Sequence, residues 1–157
     1  MQLPLAEHLK TLTHGIVWTC AFTTDTAGRP VMLKSVYDPE VWQFGGGNVD
    51  HGEHPWESTV REVREETGHT LRGEPRLLGV IFQAPADGWP AKLGLAFDGG
   101  LLTADQIEAL VLDPAEHTEV RVYALDDWRR ILTPARYALV AALATARRTG
   151  TAQYLAT

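Results

Sequence analysis

Between Phe44 and Gly68 the chain runs from an apolar strand end through Gly45-Gly46-Gly47 into an acid-rich segment that ends Arg61-Glu62-Val63-Arg64-Glu65-Glu66-Thr67-Gly68. A fold that accommodates it must bury one side of a helix while keeping the other side free for charge. At about 100° of turn per residue, Glu62, Glu65 and Glu66 share an arc of roughly 100° on a helix expected over 55–67. Trp56, Val60, Val63 and Thr67 cluster on the opposite side, so the pattern predicts a buried stripe and an acidic stripe facing an accessible site. Pro55 suits the first helical turn, although His54 stands where a Ser or Thr cap is common. Gly68 suits a left-handed C-cap.

Three carboxylates held this close repel one another unless a cation joins them. Carboxylate oxygens suit a hard divalent ion, Mg²⁺ or Mn²⁺, and Mg²⁺ is commonly shared between a few carboxylates, water and substrate phosphate. Arg61 lies one helical turn from both Glu57 and Glu65, placed to pair with either and to fix a carboxylate rotamer. The glycine run ahead of the helix permits close approach of a ligand to the backbone.

Runs of Arg and Glu are more often a solvated helix face than a metal site. The longer pattern weighs against that here: Gly47, five residues, Glu53, seven residues, then Arg61, Glu62, Glu65, Glu66 and Gly68. At average residue usage, those fixed positions coincide by chance on the order of once in ten million. The stretch resembles the signature of the Nudix hydrolases at every fixed position but the last, where His69 replaces an apolar residue.

The resemblance implies an α/β/α sandwich around a mixed β-sheet, and divalent-metal-dependent hydrolysis of a diphosphate bond in a nucleoside diphosphate linked to another group. Nucleotide sugars, ADP-ribose and nucleoside triphosphates are all within that class. It implies metal binding by Glu62, Glu65, Glu66 and the Gly46 carbonyl, with Glu53 as an acid outside the ligand set. Glu62 is the first candidate for the base that activates water, with Glu119 and Glu116 as candidates outside the helix. Arg61 joins the catalytic group by orienting a carboxylate. Trp42, Phe44, Phe82 and Trp89 are candidate stacking partners for a base or ribose. A non-catalytic nucleotide-sensing module of the same fold is the alternative, though such modules usually lose one of the acids. An isopentenyl diphosphate isomerase would need a reactive cysteine. The single Cys20 sits instead in the apolar strand Ile16-Val17-Trp18-Thr19-Cys20-Ala21-Phe22.

The length of 157 residues suits a single domain, 1–157, with a core of its own. A net charge of -6 without a basic cluster argues against a nucleic-acid or membrane partner and for a small nucleotide derivative. One cysteine, no signal-peptide pattern and no bilayer-length apolar run fit a cytoplasmic protein. Exposed strand edges would allow a homodimer. Strands are expected at 15–23, 31–36, 41–44, 76–84, 91–97 and 119–124. A second helix is expected from Thr133-Pro134 to about Arg148, and the loop 84–90 is placed to border a ligand pocket.

Overall fold

The computed structural model describes residues 3–156. In chain order its elements are α1 (Leu5–Lys10), β1 (Gly15–Asp25), β2 (Val31–Ser35), β3 (Trp42–Gln43), α2 (Pro55–Thr67), β4 (Leu77–Gln83), β5 (Ala91–Leu102), α3 (Ala104–Glu108), β6 (His117–Val122), α4 (Leu125–Ile131), α5 (Pro134–Thr149) and β7 (Gln153–Ala156). The strands form two sheets where one was expected. The first is mixed, in the order β1-β5-β4-β7, and the second is antiparallel, in the order β3-β2-β6. β1 runs parallel to β5, which is antiparallel to β4, and β7 adds in parallel beside β4.

The alternation of side chains along β1 positions the two long helices. Ala21 faces α2 and packs with Val63 and Leu71, while Cys20 and Phe22 face the other way, toward Val140 and Leu143 of α5. The four-stranded sheet is therefore sandwiched between helices, as an α/β/α arrangement requires. Trp56 of α2 meets Phe97 of β5 edge to face, with ring centroids 5.4 Å apart. On the other side Leu143 closes over Gly79, where a Cβ would come within 2.9 Å of its Cδ2. The core there includes Met32, Leu78 and Trp128, all nearly inaccessible. Trp128 donates its indole N–H to the Pro30 carbonyl at 3.2 Å, so this large side chain is buried without an orphaned donor.

The helix over 55–67 has the expected limits. Glu57 reaches back to accept the His54 N–H at 3.3 Å, which compensates for the missing Ser or Thr cap. Gly68 adopts φ +69° and donates its N–H to the Arg64 carbonyl at 2.9 Å, ending the helix as a left-handed cap. α5 starts at Pro134 behind Thr133, whose hydroxyl accepts the Arg136 N–H at 3.3 Å. β5 runs on to Leu102 through Asp98-Gly99-Gly100, past the end expected at 97. The parallel ladder with β1 shifts register between Phe22 and Thr24 and then resumes, so the strand continues through the irregularity. Among the described residues, no helix is long and apolar enough to cross a membrane.

Candidate active site

The segment after β3 lies along β1 as an additional short ladder. Ala21 N–H donates to the Gly45 carbonyl (2.9 Å), Thr19 N–H to the Gly47 carbonyl (2.8 Å) and Val49 N–H to the Val17 carbonyl (2.9 Å). In an extended chain successive carbonyls point to opposite sides. With the carbonyls of Gly45 and Gly47 taken by β1, that of Gly46 is directed away from the ladder. Gly46 has φ +152°, and a Cβ there would stand 2.1 Å from the Thr19 carbonyl oxygen, so this backbone path requires glycine.

α2 delivers its acids to this segment. Glu66 is 5% exposed, and its Oε2 accepts the Gly46 N–H at 2.8 Å. Glu62 packs its carboxyl against Gly47, where a Cβ would meet it at 2.5 Å. Burial pushes the Glu62 carboxyl above its usual range; Arg61 opposes the shift, and neighbouring Glu66 and Glu65 add to it. Glu65 is the open member, with a side chain 52% exposed. The acidic stripe is thus graded from solvent to interior, because Glu66 lies on the flank of α2 turned toward β6.

Arg61 ties the cluster together. Its Nε and Nη2 donate to the two oxygens of Glu53 at 2.9 and 3.0 Å, and its Nη1 donates to Glu62 at 2.9 Å and Glu65 at 3.1 Å. Nη2 also reaches the Asn48 carbonyl at 3.3 Å, which couples the guanidinium to the loop. Glu57, the other expected partner, is occupied at the helix cap. The Arg61 fork holds the Glu53 carboxyl down at about 2, with help from the Asp50 N–H and Ser58 against the opposing effect of burial. Arg61 is itself raised above its ordinary value, chiefly by Glu53, and remains charged.

The other candidates are placed unevenly. A cleft of about 710 Å³ opens on the α5 side of the sheet, and Gly46, Gly47 and Phe44 form part of its wall. Trp42 is not on that wall: it is 4% exposed and packs at a 57° tilt against Trp128, with ring centroids 5.3 Å apart. Phe82 also misses it, because its neighbours Ile81 and Gln83 point into the cleft and alternation turns Phe82 to the other face. Trp89 stands at the tip of the 84–90 loop, 58% exposed, over the Lys92 ammonium at 4.3 Å. Glu119 lies in β6 opposite Lys34 and is bonded to Arg121, while Glu116 accepts the Tyr37 hydroxyl at 3.2 Å. Both acids have local partners outside the Arg61 cluster. Cys20 borders the cleft but is 6% exposed, and burial pushes its thiol up to about 12, so it is not a thiolate at neutral pH.

Three residues beside the candidate site carry little or no signal in the sequence. His117 of β6 is 2% exposed with Nε2 3.2 Å from Glu66 Oε1, yet neither ring nitrogen has an aligned hydrogen-bond partner among the described residues. Its only sequence signal is a histidine amid the acids of 113–119. Lys92 and Arg136 line the cleft from β5 and α5, and nothing in the sequence links them to a motif more than twenty residues away.

The chain belongs to the NUDIX-domain family, whose model matches residues 14–143. An RNA pyrophosphohydrolase from Agrobacterium fabrum is 37% identical over 68 residues, covering 41% of this chain and 35% of that protein. The chain spans about a third of the length of the curated relatives it matches. Among solved structures, the MutT protein from Methanosarcina mazei superimposes with a TM-score of 0.68 at 23% identity, covering 83% of this chain and 94% of that one. An Ap4A hydrolase from C. elegans does so with a TM-score of 0.67 at 22% identity, covering 86% and 98%. At these identities the structural likeness establishes the fold alone.

Proposed function

We propose that the chain hydrolyses a diphosphate bond in a nucleoside diphosphate linked to another moiety, using a divalent cation held by Glu62, Glu65, Glu66 and the Gly46 carbonyl. One observation carries this reading: Arg61 gathers Glu53, Glu62 and Glu65 beside the glycine segment whose Gly46 N–H anchors Glu66. Among the described residues, no three His, Cys, Asp or Glu side chains converge closely enough to enclose an ion. The donor chemistry nonetheless fits a hard cation. Glu62 is raised by burial and by the charges of Glu65 and Glu66, so a positive charge between them relieves the repulsion. Mg²⁺ and Mn²⁺ favour this all-oxygen set.

When bound, the cation neutralises phosphate oxygens and lowers the pKa of water. The protein's own groups supply the rest. Arg61 holds Glu62 and Glu65 in orientation, Glu53 anchors Arg61, and Gly46 fixes Glu66. Glu62, with its raised pKa, is suited to accept the proton of the attacking water, and Glu119 is the second candidate for that step. A free, buried Cys20 suits a reducing, cytoplasmic setting. The net charge of -6 favours a small nucleotide derivative over a nucleic-acid chain.

The test is phosphate release after coupled phosphatase treatment, across nucleotide sugars, ADP-ribose, nucleoside triphosphates and dinucleoside polyphosphates, with Mg²⁺, with Mn²⁺ and with chelator. Metal-dependent turnover of one class is the expected result. Folded protein that binds metal and nucleotide but turns over none of them would point instead to a sensing module.

A further inference from the structure

The lining of the cleft has the opposite charge balance to the chain as a whole. The sequence carries 20 acids against 14 Lys and Arg, yet no Asp or Glu among the described residues lines the cleft, while Lys92 and Arg136 do. Neither of these has a carboxylate within ion-pair distance among the described residues, although Arg61, Arg76 and Arg121 all do. Arg136 is half-buried, and burial lowers its guanidinium below the usual range; Cys20 opposes the shift, but its buried thiol is neutral at ordinary pH and supplies no counter-charge. Lys92 rests on the Trp89 ring, which holds the ammonium at the rim without neutralising it. A partly desolvated cation without a counter-ion costs stability, and an anionic ligand removes that cost.

We infer that Arg136 and Lys92 are specificity-determining residues that hold an anionic group of the substrate beyond the diphosphate served by the α2 acids, and so select a nucleoside polyphosphate with three or more phosphates over a nucleotide joined to a neutral sugar. The inference rests on the reading of this cleft as the substrate site. The two cations stand on α5 and β5, whereas the acids stand on α2 and reach the cleft through the backbone of Gly46 and Gly47. A diphosphate seated against that backbone leaves both cations available to further phosphates. A hexose in their place would bury them against neutral hydroxyls. The planar Arg136 fork suits two phosphate oxygens at once, and Lys92 acts as a point charge.

Binding separates this inference from hydrolysis. Titration calorimetry on the full chain would compare an α,β-methylene nucleoside triphosphate, the matching α,β-methylene diphosphate and a nucleoside diphosphate hexose, each with Mg²⁺ and with chelator. The wild type should bind the triphosphate at least about tenfold more tightly than the other two, in line with charge-assisted hydrogen bonds. Because the discriminating charges belong to the protein, the preference should persist in chelator. Arg136→Gln and Lys92→Gln should each bring the triphosphate within about threefold of the diphosphate, and Arg136→Lys should restore part of the difference. Circular dichroism checks that each variant is folded, and the partly exposed Lys92 provides the test if Arg136→Gln is not. Equal wild-type affinity for triphosphate and nucleotide hexose, or variants that weaken all three ligands alike, would overturn the inference. Loss of the preference with turnover intact would leave the hydrolase reading standing. A preference without any turnover would do the reverse.

Discussion

Replacing Gly46 with alanine tests whether the loop backbone, as well as the acids, makes the site. Gly46 has φ +152°, and an added Cβ would lie 2.1 Å from the Thr19 carbonyl oxygen and 2.6 Å from the Cys20 Cα. Neither contact can be relieved by turning a flexible side chain, so the segment must lift from β1. The backbone strain alone costs about 1–3 kcal/mol. Losing the two flanking hydrogen bonds, Thr19 to Gly47 and Ala21 to Gly45, adds about 1 kcal/mol each. The total of roughly 3–5 kcal/mol is a large part of a typical domain stability of about 5–15 kcal/mol, and it corresponds to a fall in Tm of roughly 6–20 °C at this size. Urea denaturation of wild type, Gly46→Ala and Gly52→Ala measures it. Gly52 has φ +82° with nothing within 4 Å, so its variant carries backbone strain without a clash. If Gly46→Ala were no more destabilising than Gly52→Ala, the tight seating of the loop on β1 would be refuted.

Glu65→Gln and Glu66→Gln should each reduce metal-dependent turnover roughly a hundredfold or more while the fold is retained, since a neutral amide is a poor ligand for Mg²⁺; unchanged kcat in both would remove the metal-site assignment. Arg61→Ala should cost less than either, about tenfold to a hundredfold, if it acts by orienting carboxylates, and a loss equal to theirs would assign it a direct part in the reaction. Because the folded-state Glu53 pKa is depressed to about 2, its stabilisation is present above its ordinary value near 4.5 and is lost as pH falls toward 2. Urea midpoints between pH 5 and 2.5 should therefore fall less steeply for Glu53→Gln than for wild type, and parallel curves would count against the pairing with Arg61. Native protein should leave Cys20 unmodified by a thiol reagent at neutral pH until denaturant is added; rapid labelling of the folded state would contradict its burial.

The parts of the molecule that could be read from its residues are those in which local chemistry and fold agree. Pro55 and Gly68 bracket α2 because a ring-locked φ and a left-handed glycine each suit one end of a helix. α4 escaped notice because Ala124 offers no polar cap and Leu125, Trp128 and Leu132 span barely two turns; it forms because Trp128 fills the core beneath Trp42 and Tyr123. β7 is only four residues long and is a strand only because β4 presents an open edge to it. Within the candidate site, the clustering of Arg61 with Glu62 and Glu65 was legible because one helix carries all three. Of the aromatic candidates Phe44 does line the cleft, whereas Trp42 and Phe82 do not, because whether a ring lines a cleft depends on alternation along β4 and on what covers Trp42. His117, Lys92 and Arg136 arrive from three separate elements, and only tertiary packing brings them near the motif.

β1 keeps two kinds of work apart. Its Ala21 face supports the acid helix, and its Cys20 face forms part of the cleft floor, with the backbone of Gly46, Gly47 and Asn48 lying between the two. The cleft side chains contributed by β4, β5, α5 and β7 therefore stand on elements separate from the carboxylates of α2. With the cleft as the proposed substrate site, a chain built this way can change what it recognises while its acid cluster stays where it is.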